Sequence, residues 1–486
     1  MMAVNRTHIF FHGRVGIPAL MAMLALAGAA VGLRAQAPNP TSATNPFFGS
    51  VTAHAATSDT LKLSLDEAVR RGLENNLGLK EAENGEKSIH AQKLGAVQDF
   101  LPDISLSGST GLYQHNLAAQ GFGPNVIKQL AGKVPAGLSY ITRDDLTQGQ
   151  IHYGQMLFSG PVIAAFRAAG AAERSAYFAK MSARGEVVQQ VATAYLHAIA
   201  AASEVDNAKA LESADRLLLS QAHDAHVAGT VSNLDELRAR VQLQAQQQAL
   251  IGAENALEKD LILLKREIGI DPGQKIALTD PAPYSELATQ TPEEVRAVAY
   301  RSRQDYQNLQ AQVAELKAVH FAYKSQRLPS LSLGGYYGVS MVNGAGSHGN
   351  FVAQGSLTVP LFREARIRGD VAAAQANLDA VNAQLADLKE NIDKQVRSAL
   401  LDVDASTQLV QVARSNVELA TRALSDETDR VNAGVDDNLP LVTAQATLAA
   451  AQSNLVESLY HFNVSKLVLA RAAGILESQY RDYLGR

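Results

Sequence analysis

The stretch AGTVSNLDELRAR, residues 228–240, returns as AGVDDNLPLVTAQ at residues 433–445. Gly229 aligns with Gly434, Asn233 with Asn438 and Leu234 with Leu439, at a constant offset (434 − 229 = 205). A Gly that follows a long run of helix formers ends the helix, and Ser, Asn or Asp shortly afterwards starts the next one. Each copy reads as the turn of a helical hairpin, and the chain reads as one unit written twice.

Further landmarks keep the same order. LSLDEAV from Leu63 has its counterpart in TPEEV from Thr291. FLPDISLSG with Pro102 returns as RLPSLSLGG with Pro329, and 329 − 102 = 227. MLFSG with Phe158 returns as PLFRE with Phe362, and 362 − 158 = 204. LLKREIGI with Gly269 matches LARAAGIL with Gly474, and 474 − 269 = 205. The offset falls from 227 to 204 across one interval, which places an insertion in the first repeat between Pro102 and Phe158. Its Gly and Pro content and its place between two strands predict an outward-facing loop over 114–146. The expected organisation is a first repeat over 62–270, a turn-rich linker over 271–291, a second repeat over 292–476 and a C-terminal tail over 477–486.

The N-terminus carries Arg6 and Arg14, then the uncharged run VGIPALMAMLALAGAAVGL, then Ala35-Gln36-Ala37 and a Pro-rich PNPTSATNP. The run is nearly long enough to be a retained membrane anchor. Pro18, the scattered Gly and the small-x-small box favour a signal peptide over 1–37, followed by a flexible mature N-terminus over 38–61. Composition excludes other classes. With no Cys, there is neither a disulfide nor a Cys-held zinc or lipid. A net charge of −5 and a pI near 6.2 argue against nucleic acid as a partner.

From residue 363 to 432 there is no Pro and a single Gly, Gly369. A helix of that length runs for roughly 100 Å. Val371, Leu378, Leu385 and Ile392 keep a seven-residue beat, which steps by four and resumes at Val396, Val403, Val410, Val417, Leu424 and Val431. Such a stutter locally unwinds a left-handed supercoil. Residues 160–227 mirror this run. Helical segments are also expected over about 64–100 and 292–327, stopped by Pro102 and Pro329.

Between these runs lie alternating segments of about ten residues, the length of a tilted membrane strand. Ile104, Leu106 and Leu112 interleave with Ser105, Ser107 and Ser109, and Phe351, Ala353, Gly355 and Leu357 with Val352, Gln354 and Ser356. A half-buried soluble sheet shows the same period. Four strands cannot close a barrel and open edges cannot face lipid, so a membrane reading requires several copies.

These residues resemble the TolC family of outer-membrane efflux proteins, over 63–476. The resemblance rests on LSLDEAV, FLPDISLSG, the LFSG after the second strand, AGTVSNLDEL and their second-half equivalents. It implies an α+β membrane protein of duplicated strand–helix repeats. Four strands per chain would join a trimeric twelve-stranded β-barrel, continued by a long periplasmic α-helical coiled-coil barrel. It also implies a homotrimer in outer-membrane lipid, a periplasmic adaptor (membrane fusion) protein and an inner-membrane transporter of RND or ABC type. The conduit would serve efflux or protein secretion. In that fold Gly229, Thr230, Gly434 and Val435 sit at hairpin tips that touch the adaptor. Asp235, Asp436 and Asp437 are the candidate periplasmic gate. Family members can carry gate aspartates six and nine positions after the second Gly, where this chain has Pro440 and Thr443. A threefold axis would make each Asp a cation-attracting ring; the same residues could simply cap the returning helices.

No catalytic chemistry is legible. Residues 344–349 match G-x-G-x-x-G but open into a strand and read as a hairpin loop. His223 and His226 lie three apart on a helix without a third metal ligand in view. No nucleophile elbow, Walker loop or HExxH occurs, and no cofactor is implied. The reading of a different class is a periplasmic coiled-coil scaffold with a soluble β-sheet.

Overall fold

The structure, a computed structural model, describes residues 44–52, 55–121, 141–229, 232–288, 290–433 and 438–485. The expected signal peptide lies outside the described residues.

The first repeat contains β1 (Leu61–Leu63), α1 (Leu65–Asn75), α2 (Leu77–Gln98), β2 (Asp103–Asn116), β3 (Ile141–Phe158), α3 (Gly160–Val227) and α4 (Asn233–Ile268). After β4 (Ile276–Leu278), the second repeat contains α5 (Pro292–Ser302), α6 (Gln304–Ser325), β5 (Ser330–Val342), β6 (His348–Thr358), α7 (Glu364–Asn432) and α8 (Asn438–Ala472), with α9 (Leu476–Leu484) at its end. Both α1 and α5 span 11 residues, and both α2 and α6 span 22. The duplication legible in the sequence is a duplication of elements.

Two helices run unbroken, α3 with 68 residues and α7 with 69. Shorter helices pair with them end to end. Near its start α3 meets α2 through Lys180–Glu86 at 2.7 Å, and α6 through Ser175–Asn308 at 3.1 Å. Further along it meets α4 through Gln246 Nε2 to Ala208 O at 3.3 Å, and α8 through Ser453–Glu204 at 2.8 Å. The wall therefore reads α2–α3–α6–α7 in one half and α4–α3–α8–α7 in the other. The seven-residue stripe of α7 faces inward: Ile392, Val396 and Val410 are fully buried.

The helices expected to be continuous over 64–100 and 292–327 are each broken in two. Asn76 (φ −62°, ψ 132°) is fully buried; its Oδ1 accepts from Leu79 N at 3.3 Å and its Nδ2 donates to Phe47 O at 2.6 Å. Leu77 N also donates to Gly49 O at 2.9 Å, so the segment just before the repeat satisfies one donor exposed by the break and Asn76 itself another. At the equivalent position Arg303 grips Asp305 with two bonds of 3.0 and 2.6 Å and reaches Gln395 at 2.6 Å. At Asn76 a buried cap outweighs helix propensity; at Arg303, whose side chain caps no amide, the buried guanidinium's bonds to Asp305 and Gln395 hold the break.

At these breaks the largest apolar cluster gathers, joining Leu63, Leu65, Val187, Val191, Tyr195, Leu264, Ile268, Val396, Leu467 and Leu484. The linker contributes more than turns. Its strand β4 pairs in parallel with β1, Leu61 opposite Ile276. The Tyr195 hydroxyl, with its single proton, lies 2.7 Å from Asp280 Oδ2 and 2.9 Å from Leu63 O, and Asp280 also caps Leu65 N. Lys466 Nζ donates to Ser285 O at 3.0 Å and lies 4.3 Å from the Phe462 ring centroid, and burial pushes its ammonium down to about 8. The tail likewise holds structure: α9 docks through Tyr480 to Asp66 at 2.7 Å.

The remaining strands form one antiparallel sheet in the order β2–β3–β5–β6. They span 14, 18, 13 and 11 residues, longer than expected. The extra length of β3 pairs only with β2, down to Asn116 opposite Ile141, and carries the base of the 114–146 insertion beyond the end of β5. Residues 122–140 of that insertion lie outside the described residues.

Candidate functional site

Two ends of this rod carry the features that matter. At the strand end, register sorts the side chains into opposite faces. Leu106, Ile151, Tyr337 and Phe351 line up across all four strands, and each is more than half exposed. The next row, on the other face, is Ser107, Gln150, Gly338 and Asn350, followed on that face by Ser109, Gln148, Ser340 and His348. An exposed apolar face backed by a polar face is what lipid on one side and a water-filled lumen on the other demand. The 344–349 motif joins β5 to β6, with Asn343 at φ 49° and Gly344 at φ 69°, as a tight hairpin turn requires. It holds no phosphate-binding helix N-terminus.

Where the sheet gives way to helices, Phe100, Phe158, Phe166 and Phe362 stand exposed, and the Phe100 and Phe166 rings meet edge to face at 5.7 Å. Arg327 grips Glu364 through bonds of 3.0 and 2.8 Å, and Arg368 adds another at 2.8 Å. Those guanidinium bonds hold the Glu364 carboxyl down at about 2.

At the other end, Gly229 ends α3 with φ 73°, the left-handed turn expected of a hairpin tip. Thr230, Gly434, Val435, Asp436 and Asp437 lie outside the described residues. The two hairpins meet side by side near their tips, where Leu218, Ala222 and Ala239 of the first pack with Leu424, Val431 and Leu441 of the second. Asp235 sits in the first turn of α4. The Ser232 backbone N–H and hydroxyl donate to its Oδ2 at 3.2 and 2.7 Å, and Arg238 lies 3.3 Å from its Oδ1. Within one chain its carboxylate serves a helix cap and an ion pair. Asp235→Ala is expected to cost about 1 kcal/mol locally, read as lost amide protection in the first turn of α4 by hydrogen exchange.

His223 Nδ1 finds a partner the sequence did not suggest, Glu236 Oε1 at 3.3 Å across the turn, which also accepts from Arg240 at 2.9 Å. Among the described residues, no group of three His, Asp or Glu side chains could hold a metal ion. No described helix is long and apolar enough to cross a membrane.

Residues 68–269 and 294–475 match the sequence profile of the outer membrane efflux protein family. The chain belongs to that family. Outer membrane efflux proteins are transport channels and not enzymes, and membership places this chain in the outer membrane. The soluble-scaffold alternative falls with that match. Solved structures agree on the fold. The outer membrane protein VceC of Vibrio cholerae is 17% identical, with a TM-score of 0.70 over 84% of this chain and 96% of that one. The CmeC outer membrane channel of Campylobacter jejuni is 16% identical, with a TM-score of 0.69 over 90% and 95%. The MtrE outer membrane channel of Neisseria gonorrhoeae, solved in an open state, is 15% identical, with a TM-score of 0.68 over 88% and 95%. A comparison with curated proteins gave no match.

Proposed function

We propose that three copies assemble into one conduit, each giving four strands to a twelve-stranded barrel and its helices to a periplasmic tube. The observation that carries this is the sheet itself. Its outer strands β2 and β6 have no neighbour among the described strands, yet its apolar face is exposed. Backbone donors left open at such edges cost several kcal/mol each in lipid, so β6 of one copy must pair with β2 of the next until the ring closes. The protein extracted from outer membranes is expected to migrate as a heat-modifiable trimer and to give discrete conductance steps in planar bilayers. A monomer without conductance would end this reading.

The tube would receive substrates from an inner-membrane transporter of RND or ABC type through a periplasmic adaptor. Leu234, Leu237 and Val241 support contact near the first tip, since all three stand exposed within the first turns of α4. With Asp235 engaged as a cap, Asp436 and Asp437 are the stronger candidates for an acidic ring at the mouth. The paired substitution of both by Asn is expected to lower cation selectivity in bilayer recordings; unchanged selectivity removes them from the gate.

A further inference from the structure

The trimeric reading says that copies adjoin, and the structure goes further by marking which helix faces meet and in what register. In the tip half, the helices of one chain lie side by side as α4–α3–α8–α7, so α4 and α7 form the two flanks. A flank helix of a finished monomer should be polar on its outer face. Each instead carries exposed large apolar side chains there, among polar ones such as Asn255 on α4 and Gln408 on α7. On α4, Leu237, Val241, Ile251 and Ile262 stand exposed, on the side away from the buried Ala239 and Leu264. On α7, Leu401, Val412 and Leu419 stand exposed, on the side away from the buried Val396 and Val410. Ile251 and Ile262 stand in an i, i+11 relation, and so do Leu401 and Val412. That is the step from a d position to an a position in the heptad after next, so each pair lies on one coiled-coil seam.

The two stripes also match in height. Ile251 lies as far past the first turn glycine as Val412 lies before the second (251 − 229 = 434 − 412). Ile262 and Leu401 are matched in the same way (262 − 229 = 434 − 401). The two hairpin ends are already level within a chain: Leu218 (229 − 218 = 11), Ala239 (239 − 229 = 10), Leu424 (434 − 424 = 10) and Leu441 (441 − 434 = 7) share one cluster. Rotation about a tube axis keeps heights, and α4 runs away from the tip while α7 runs toward it.

We propose that α4 of one copy packs antiparallel against α7 of the next, with Ile251 seated on Val412 and Ile262 on Leu401. These two rungs bury side chains that are 67%, 59%, 42% and 70% exposed in the single chain. The seam continues along the helices the same junction that β6 and β2 make in the sheet. Nearer the tip the match ends: Leu237 and Val241 stand level with Asp426 and Arg422, so the apolar seam belongs to the upper part of this half.

The proposal rests on the trimeric reading, and the chain's lack of cysteine lets the two be tested apart. Ile251→Cys with Val412→Cys, and Ile262→Cys with Leu401→Cys, are expected to give disulfide-linked ladders up to a covalent trimer under mild oxidation, reversed by reductant. The shifted pair Ile251→Cys with Leu401→Cys is expected to give none. The helical rise from Val412 to Leu401 separates its partners by ~16 Å, against a disulfide reach of about 7 Å. Native mass spectrometry of each variant reports whether it folds and assembles. Trimers by mass whose in-register pairs fail to link, or whose shifted pair links, overturn the seam and leave the trimer standing. A monomeric mass for the unmodified chain overturns both.

Discussion

Gly474→Ala is expected to lower the stability of the folded chain by at least about 2 kcal/mol, far more than the same change at Gly229. Both glycines adopt left-handed backbone, φ 75° at Gly474 and φ 73° at Gly229. That conformation alone costs a non-glycine residue about 1–2 kcal/mol. Their surroundings separate them. A Cβ at Gly229 would meet nothing within 4 Å. One at Gly474 would sit 2.7 Å from Arg303 N, 2.8 Å from Arg303 Cα and 2.8 Å from Ser302 C. Those are backbone atoms of the α5–α6 break, held by the Arg303–Asp305 grip, and they cannot swing aside. The duplicated Gly269 meets the other break in the same way, 2.6 Å from Thr52 O and 2.8 Å from Asn75 Cβ. Thermal unfolding of the detergent-solubilised protein is the measurement. Equal losses for Gly474→Ala and Gly229→Ala would show that backbone conformation, not close approach at the break, sets the requirement.

That contact also explains what the sequence could show of the fold and what it could not. Repeats, long helices, strand alternation and the inward stripe of α7 are periodic signals, and each rests on many residues at once. Pro102 and Pro329 mark the ends of helical regions in a similar way. The breaks at Asn76 and Arg303 rest on single side chains, and their local bonds, to Leu79 N and to Asp305, are joined by bonds to Phe47 and Gln395, which are distant in sequence. The distant half of each set carries no local signal. The strands β1 and β4 are three residues each, too short for alternation to register, and they pair where the linker returns to the start of α1, with Asp280 bonded to Leu65 N. At the first tip the acid was legible in the sequence, but its bonds to Ser232 within one chain were not. Glu236 could not be matched to His223 before the hairpin turn placed them together.

Glu267→Gln is expected to stabilise the protein at neutral and alkaline pH and to flatten its pH dependence. Glu267 is fully buried beside the main core; Gln190 donates to Oε1 at 3.1 Å, while Oε2 has no hydrogen-bond partner. Burial disfavours the charged form and raises the carboxyl to about 8, against an ordinary 4.5, with the Gln190 bond opposing only part of the rise. The folded state thus holds a proton that the unfolded chain releases above pH 4.5. Folding stability is whole below that value, declines as pH rises, and reaches its floor above about 8. At ~1.36 kcal/mol per unit, the loss has a ceiling of roughly 5 kcal/mol. Glutamine keeps the shape and the Gln190 contact without an ionisable proton. The second repeat places Ala472 at the equivalent position, 267 + 205 = 472, so the architecture itself does not require an acid there. Melting temperatures of the two proteins should coincide near pH 4.5 and separate progressively up to pH 8, the variant remaining higher. Parallel melting curves across that range would mean that Glu267 stays ionised in the fold, with Oε2 paired to a group that stabilises the charge.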